Sequence, residues 1–240
     1  MGTVTILETT TRNPITLIGK RAGVCWGADT TDDEKNYKRG LDCIESGHGR
    51  TLEFVRVDMI LDGYSARVMR EWYTHIGGAP TRLQASTRYI DYGKFEYVMP
   101  PSIRNNQDAK DCYQDCMEML RYDLKYLVEH EGIPREDAAM LLPLGMCTRV
   151  VDSRNLRNLI DMSRQRMCNR AYWEFRELFG DIIIALVNYS KEWAALVKYM
   201  QSKCDVLRYC PEKHGCGRWP KIGEQLPEIK PYAEMEAQNE

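Results

Sequence analysis

A chain of 240 residues with 43% hydrophobic and 28% charged residues can enclose one sizeable core, and a formal charge of −2 with both signs mixed throughout excludes a protein that coats DNA or RNA. The longest apolar run, Ile182 to Val187, stops at Asn188, short of the roughly 20 residues a membrane-crossing helix needs, and Met1 to Leu7 lacks the regions of a secretory signal. Nine scattered cysteines, an odd number, argue against a disulfide framework, so a cytoplasmic protein without membrane attachment is expected.

The first residues read as a strand. Thr31 followed by Asp32, Asp33 and Glu34 puts acid at the positive end of a helix that turns Tyr37, Leu41 and Ile44 inward and stops near Gly47. Leu52 to Leu61 alternates with period two and predicts a half-buried strand. Ser65 opens a helix over Ala66 to Ile76, broken by Gly77-Gly78-Ala79-Pro80. Thr81 to Arg88 reads as an irregular polar loop, and Phe95, Tyr97 and Val98 as a short strand ended by Pro100-Pro101.

Asp108 to Glu131 predicts a long amphipathic helix, and Pro134 suits the first position of another that ends at Leu141 to Leu144. A strand at Cys147 to Val151 and a helix capped by Ser153 follow, then a helix from about Ala171 to Met200. From Cys204 onward the chain is poor in apolar residues and rich in Gly and Pro. The organisation expected is one domain over 1–203, helical in its C-terminal half, with an extended tail over 204–240.

Two clusters carry chemistry. The loop Gln84-Ala85-Ser86-Thr87-Arg88-Tyr89, following a helix with Arg70, Glu71 and His75, combines guanidinium, hydroxyl and backbone N–H groups, a mixture that suits an oxyanion such as phosphate and also an ordinary capped turn. The second cluster runs from Arg149 through Arg154 and Arg157 to Arg164, Arg166 and Arg170. Four residues apart on a helix, Arg166 and Arg170 can face one anion, or belong to a solvated basic face. Cys204, Cys210 and Cys216 with His214 lack paired C-x2-C spacing and read as reduced thiols, so no metal is expected.

Leu142-Pro143-Leu144-Gly145-Met146-Cys147-Thr148-Arg149, then Asn155-Leu156-Arg157-Asn158-Leu159, Arg166 and Ala171-Tyr172-Trp173-Glu174-Phe175, resembles the C-terminal signature of flavin-dependent thymidylate synthases. Gly47-His48 with Glu53, and Gln84 to Tyr89, resemble segments of the same family's N-terminal half, so the likeness spans roughly residues 20 to 190. It implies an α/β fold, an antiparallel-rich central sheet packed with long helices, assembled as a homotetramer with FAD and nucleotide at subunit junctions. The implied reaction is reductive methylation of dUMP at C5, with methylenetetrahydrofolate as carbon donor and NADPH as reductant.

Carried over residue by residue, His48, His75, Gln84, Asn155 and Arg157 match flavin-contacting positions, with Arg170 in place of a histidine there. Glu71, Ser86, Arg88 and Arg166 match nucleotide-contacting positions, and Arg70 and Thr87 join them from the local cluster. Arg166 and Ser86 are the residues assigned to catalysis, Arg166 by stabilising negative charge on the pyrimidine as C5 becomes nucleophilic. The family's Arg-His-Arg triplet is Thr74-His75-Ile76 here, its spacer to Ser86 is two residues longer, its glutamine is Glu71, and an arginine before the Leu-Leu-Pro segment is Ala139. Arg82 is a candidate for one missing charge. These departures leave open a C5 methylase of UMP or another modified uracil nucleotide, and a flavin- or nucleotide-binding relative without activity.

Overall fold

The computed structural model describes residues 2–225, and the last part of the expected tail, 226–240, lies outside the described residues. In chain order the elements are β1 (Thr3–Ile6), α1 (Pro14–Cys25), α2 (Asp33–Glu45), α3 (Gly49–Leu52), β2 (Arg56–Ser65), α4 (Ala66–Trp72), β3 (Thr81–Gln84), α5 (Pro101–Arg104) and α6 (Gln107–Glu129). There follow α7 (Arg135–Ala138), β4 (Cys147–Asn155), α8 (Leu156–Arg166), α9 (Trp173–Tyr189), α10 (Lys191–Leu196), α11 (Lys203–Leu207) and α12 (Ile222–Gln225). They fall into two compact units that alternate along the chain: a sheet unit, Met1–Arg12 with Val55–Asn155, and a helical unit, Asn13–Phe54 with Leu156–Glu240.

The sheet unit is built on an antiparallel sheet of order β1-β2-β4-β3. Val57, Met59 and Leu61 of β2 are fully buried, each contributing about 1.5–3 kcal/mol by leaving water. They pair with Arg154, Asp152 and Val150 of β4, so an arginine and an aspartate share the buried face with the aliphatics. Buried charge demands a partner: Arg154 donates from Nε to Asp152 Oδ1 at 2.6 Å, and Trp72 Nε1 of α4 donates to Asp152 Oδ2 at 2.8 Å. The Arg154 guanidinium lies 4.1 Å from the Trp72 ring centroid. Gly63, at φ +76°, marks the register shift between Asp62 and Tyr64 in β2.

Ser65 caps α4 as the sequence predicts, its Oγ accepting from Val68 N–H at 3.1 Å. The helix ends at Trp72 rather than Ile76, because Tyr73, Thr74 and His75 close turns on Met69, Glu71 and Trp72 before Gly78 at φ +73° redirects the chain. Thr81–Gln84, expected as loop, pairs with β4 as an edge strand, while the strand expected at Phe95–Val98 reduces to the single bridge Tyr97 to Met146. The long helix appears as α6, capped by Asn106 and packed through Met117 and Leu124 on Phe95, Ala138 and Met146. Pro134 stands just outside α7, at its cap position.

The sequence pattern does not reveal α1, whose partner is α2. The two helices touch backbone to backbone: a Cβ on Gly19 would stand 1.8 Å from the Asn36 carbonyl oxygen, and one on Gly40 would stand 2.0 Å from that of Ile15. That crossing turns Asn36, Gly40 and Cys43 inward, one position off the expected face, and Asp32 caps α2, its side chain accepting from the Glu34 and Lys35 N–H groups. Ser153 caps nothing, since pairing with Arg56–Asp58 carries β4 through to Asn155 and α8 starts at Leu156. The single helix expected from Ala171 to Met200 is broken at Ser190, whose extended backbone ends α9 and whose Oγ caps α10. Glu192 of α10 accepts from the Thr16 backbone N–H at 2.9 Å and from its hydroxyl, tying α10 to α1.

Residues 203–225 are folded rather than extended. Asp205 accepts from Trp219 Nε1 at 2.8 Å and pairs with Arg218 at 2.8 Å, while Cys210 bridges Lys221. Burial works against the Asp205 charge, yet the hydrogen bonds from Ser202 and Trp219 and the Arg218 charge outweigh it and hold the carboxyl below its ordinary value.

Candidate functional site

In the sheet unit the candidate residues sit where β3 and the loop after it run beside β4. Gln84 Nε2 donates to Thr148 Oγ1 at 3.3 Å, and Ala85 N–H donates to the Arg149 carbonyl at 2.8 Å, which fixes the start of the Ser86–Arg88 loop on the sheet edge. Ser86 is half-buried, and its Oγ accepts from Arg88 N–H at 3.1 Å. Thr87 and Arg88 are exposed. The Arg88 guanidinium pairs with Glu136 at 2.5 Å, both side chains largely open to water, so the pair is worth no more than about 1 kcal/mol and exchanges readily for an anionic ligand.

Arg70 is exposed near the end of α4 while Glu71 and His75 are half-buried. Asn155, at the end of β4, is buried, and Gly78 makes room for it: a Cβ there would stand 2.1 Å from Asn155 Nδ2. Gly78 is therefore fixed both by its positive φ and by the amide pressed against it, a requirement that the Gly77-Gly78 pair hints at without naming Asn155. Arg82 donates to the Tyr73 carbonyl at 2.8 Å with its guanidinium 4.4 Å from the Tyr73 ring centroid. Burial pushes the Tyr73 phenol up, with the Arg82 charge opposing it.

In the helical unit, His48 is exposed at the start of α3, and Arg157 in the first turn of α8 pairs with Glu53 at 2.6 Å. Arg157 borders a groove of about 610 Å³ that Gly47, Gly49, Arg164, Lys198 and Arg208 also line. Glu45, Asp161 and Asp205 line the same groove and are held by Tyr199, Arg164 and Arg218, so the glycine backbone with Arg157, Lys198 and Arg208 is the part that suits the diphosphate of a flavin dinucleotide. Arg166, half-buried, lies 4.7 Å from the Phe175 ring centroid and borders a second cavity of about 750 Å³ with Arg164 and Arg170. Arg170 is exposed, donates to the His214 carbonyl at 2.8 Å, and lies 3.9 Å from Glu212.

The arginine-rich run thus separates by role. Arg154 is consumed in the core of the sheet unit, whereas Arg157, Arg164, Arg166 and Arg170 border cavities of the helical unit. Among the described residues no group of three or more His, Cys, Asp and Glu is placed to hold a metal, and no helix is long and apolar enough to cross a membrane.

Fold and residues define a mixed α/β protein with an antiparallel sheet, two cavities bordered by arginines, one of them flanked by glycines, and a loop suited to an oxyanion. The chain belongs to the thymidylate synthase complementing protein family, whose model matches residues 6–188. It is 33% identical over 186 residues to the flavin-dependent thymidylate synthase of Nitratidesulfovibrio vulgaris, covering 74% of each chain. With that of Clostridium tetani it shares 27% over 241 residues, covering 91% of this chain and 94% of the relative. The crystal structure of thymidylate synthase X from Helicobacter pylori with FAD and dUMP matches with a TM-score of 0.62 at 19% identity, over 85% of this chain and 99% of that one, which shows the common fold.

Proposed function

We propose that the chain is an FAD-dependent thymidylate synthase that converts dUMP to dTMP, with methylenetetrahydrofolate as carbon donor and NADPH as reductant. The observation that carries the reading is the fate of the matched arginines: Arg157 and Arg166 border large cavities instead of being spent in a core. Membership of the family and the flavin-dependent synthases among the relatives support it.

Bound FAD supplies the redox chemistry. Around it, His48, His75, Gln84, Asn155 and Arg157 orient the cofactor, with Arg170 beside them, while Glu71, Arg70, Ser86, Thr87 and Arg88 hold the nucleotide. Arg166 stabilises the negative charge that develops on the pyrimidine as C5 becomes nucleophilic, at a position where the Phe175 ring excludes water from one face of its guanidinium. Ser86 positions the loop, its Oγ already accepting the Arg88 N–H. In this reading residues 1–203 form the catalytic domain of a cytoplasmic homotetramer, and the segment from 204 adds walls to both cavities.

The test is anaerobic turnover of the purified protein with FAD, NADPH and methylenetetrahydrofolate, offered dUMP and UMP separately and followed by product mass. Formation of dTMP is expected. Preference for UMP would move the assignment to a different C5 methylase, for which the half-buried carboxylate of Glu71 is a suitable ribose-hydroxyl acceptor. FAD binding without product from either nucleotide would overturn the reaction.

A further inference from the structure

We infer that Cys216 and Cys210 form a thiol–disulfide exchange site for small carboxylate-bearing disulfides, on the wall of the cavity of about 750 Å³ in the helical unit. Both residues lie beyond 6–188, the span that the family model matches. The chemistry of the pair is independent of the proposed reaction, and only its effect on turnover rests on that reading.

Cys168, Cys204, Cys210 and Cys216 all line this cavity as free thiols. Cys204 is buried with its sulfur 3.1 Å from Ser202 Oγ, and Cys168 is half-buried between α8 and α9. Cys216 is exposed while Cys210 is 9% exposed, so an incoming disulfide meets Cys216 first and Cys210 is placed to resolve the product. The backbone brings the two together. A Cβ added to Gly215 would stand 3.3 Å from Cys210 Sγ, so the chain passes over that thiol one residue before Cys216. The next α-carbon lies only about 3.8 Å along the chain, and a disulfide spans about 4.4–6.8 Å between α-carbons. Cys210 is fixed, its N–H donating to the Pro220 carbonyl at 2.8 Å. Residues 211–219 make no backbone–backbone hydrogen bond among the described residues, so the partner that moves is Cys216.

Charge selects the reagent. Arg164, Arg166, Arg170 and Lys203 line the cavity against the two acids Asp161 and Glu212, which lie 3.5 Å from Arg164 and 3.9 Å from Arg170. That excess of positive charge concentrates a disulfide bearing carboxylates, such as glutathione disulfide, over a neutral one. The exposed thiols of α6, Cys112 and Cys116, sit in the opposite field, where Asp108, Asp111, Asp115 and Glu118 outnumber Lys110 and Arg121. In the exchange the Cys216 sulfur attacks one sulfur of the small disulfide, and its proton goes to the thiolate that leaves. The Cys210 sulfur then displaces the second thiol from Cys216 in the same way. Two protein thiols are oxidised to one disulfide, and the small disulfide is reduced to two thiols. The segment that shifts also carries the His214 carbonyl and Glu212, the groups set against Arg170, so closing the pair reshapes the cavity that Arg166 borders.

The test exposes the reduced full-length chain to glutathione disulfide and to the neutral bis(hydroxyethyl) disulfide, then alkylates the remaining thiols and maps the products by mass. A Cys210–Cys216 disulfide is expected, formed about tenfold faster with glutathione disulfide, the preference vanishing in about 1 M salt. Cys112 and Cys116 should show no such preference. Cys210→Ser should stop at the first step and accumulate one glutathionyl group on Cys216. A disulfide from any other pair, or equal rates with the two reagents, would overturn the assignment. If Cys210→Ser does not fold, Cys216→Ser decides: Cys210 should stay reduced there, and its oxidation sinks the pairing. Single-turnover methylation by wild type is expected to fall about tenfold on oxidation, to recover on reduction and to stay constant in Cys216→Ser. No fall in wild type, or the same fall in Cys216→Ser, removes the effect on turnover. No turnover in either state overturns the functional reading, and the mapped disulfide still decides the site.

Discussion

Two arginines three residues apart, one closing the sheet unit's last strand and one opening the helical unit's α8, meet opposite fates. In the sheet unit Arg154 is sealed from water against Asp152 and Trp72; three residues on, in the helical unit, Arg157 is open and shares Glu53 with the exposed Arg50. Periodicity separates them. Along β4 positions 150, 152 and 154 face inward, and once α8 begins the inward set becomes Leu156, Asn158, Leu159, Ile160, Met162 and Ser163, which leaves Arg157 and Arg164 outside. A dense run of arginines therefore does not define a binding surface until the backbone period beneath it is known.

That contrast breaks most easily at its buried end. Arg154→Leu leaves Asp152 charged in a dry core, and an unfolding free-energy loss of about 3–5 kcal/mol is expected in guanidinium titration. A loss below about 1 kcal/mol would place Arg154 with the surface arginines. On the displayed side, Arg166→Ala should fold normally and lower kcat by about 10²–10³-fold, measured in single-turnover methylation. If the rate is unchanged, Arg166 is a packing residue on Phe175.

Gly78→Ala forces a left-handed residue against Asn155 and is expected to cost about 1–3 kcal/mol, with FAD affinity falling in parallel in fluorescence titration. Arg157→Ala should change stability by no more than about 1 kcal/mol yet weaken FAD about tenfold, which would confirm display over structure. The smallest effect belongs to Asp205. Because its folded carboxyl lies below the ordinary value, its contribution is present above roughly pH 4 and is lost as pH falls through the folded value. Asp205→Asn should therefore flatten the acid limb of the stability profile, and an unchanged slope would remove Asp205 from that account.

Much of this was legible in the sequence where one period dominates: β1, the alternation of Val57, Met59 and Leu61, the stripe of α6, and the Ser65 cap. Helix α1 was not, because Ile15, Thr16 and Ile18 look strand-like and the two glycines look like breakers, whereas they are the small residues that let two helix backbones meet. Ser153 resembled a cap because local chemistry favours that role, and strand pairing overrode it. The displayed arginines were readable from family resemblance. The Asp152–Arg154 pair was not, since charges at alternate strand positions ordinarily face water.

The alternation of units along the chain governs how the protein is born. Helix α1 emerges from the ribosome early, yet Glu192, which caps its first turn, follows Thr16 by 176 residues. A nascent chain released after Asn155 would hold every strand of the sheet and still leave α1 and α2 without α8 or α10. Closure of the helical unit is thus a late event with long sequence separation, the kind that slows folding, and no single contiguous fragment cut from the chain contains that unit alone.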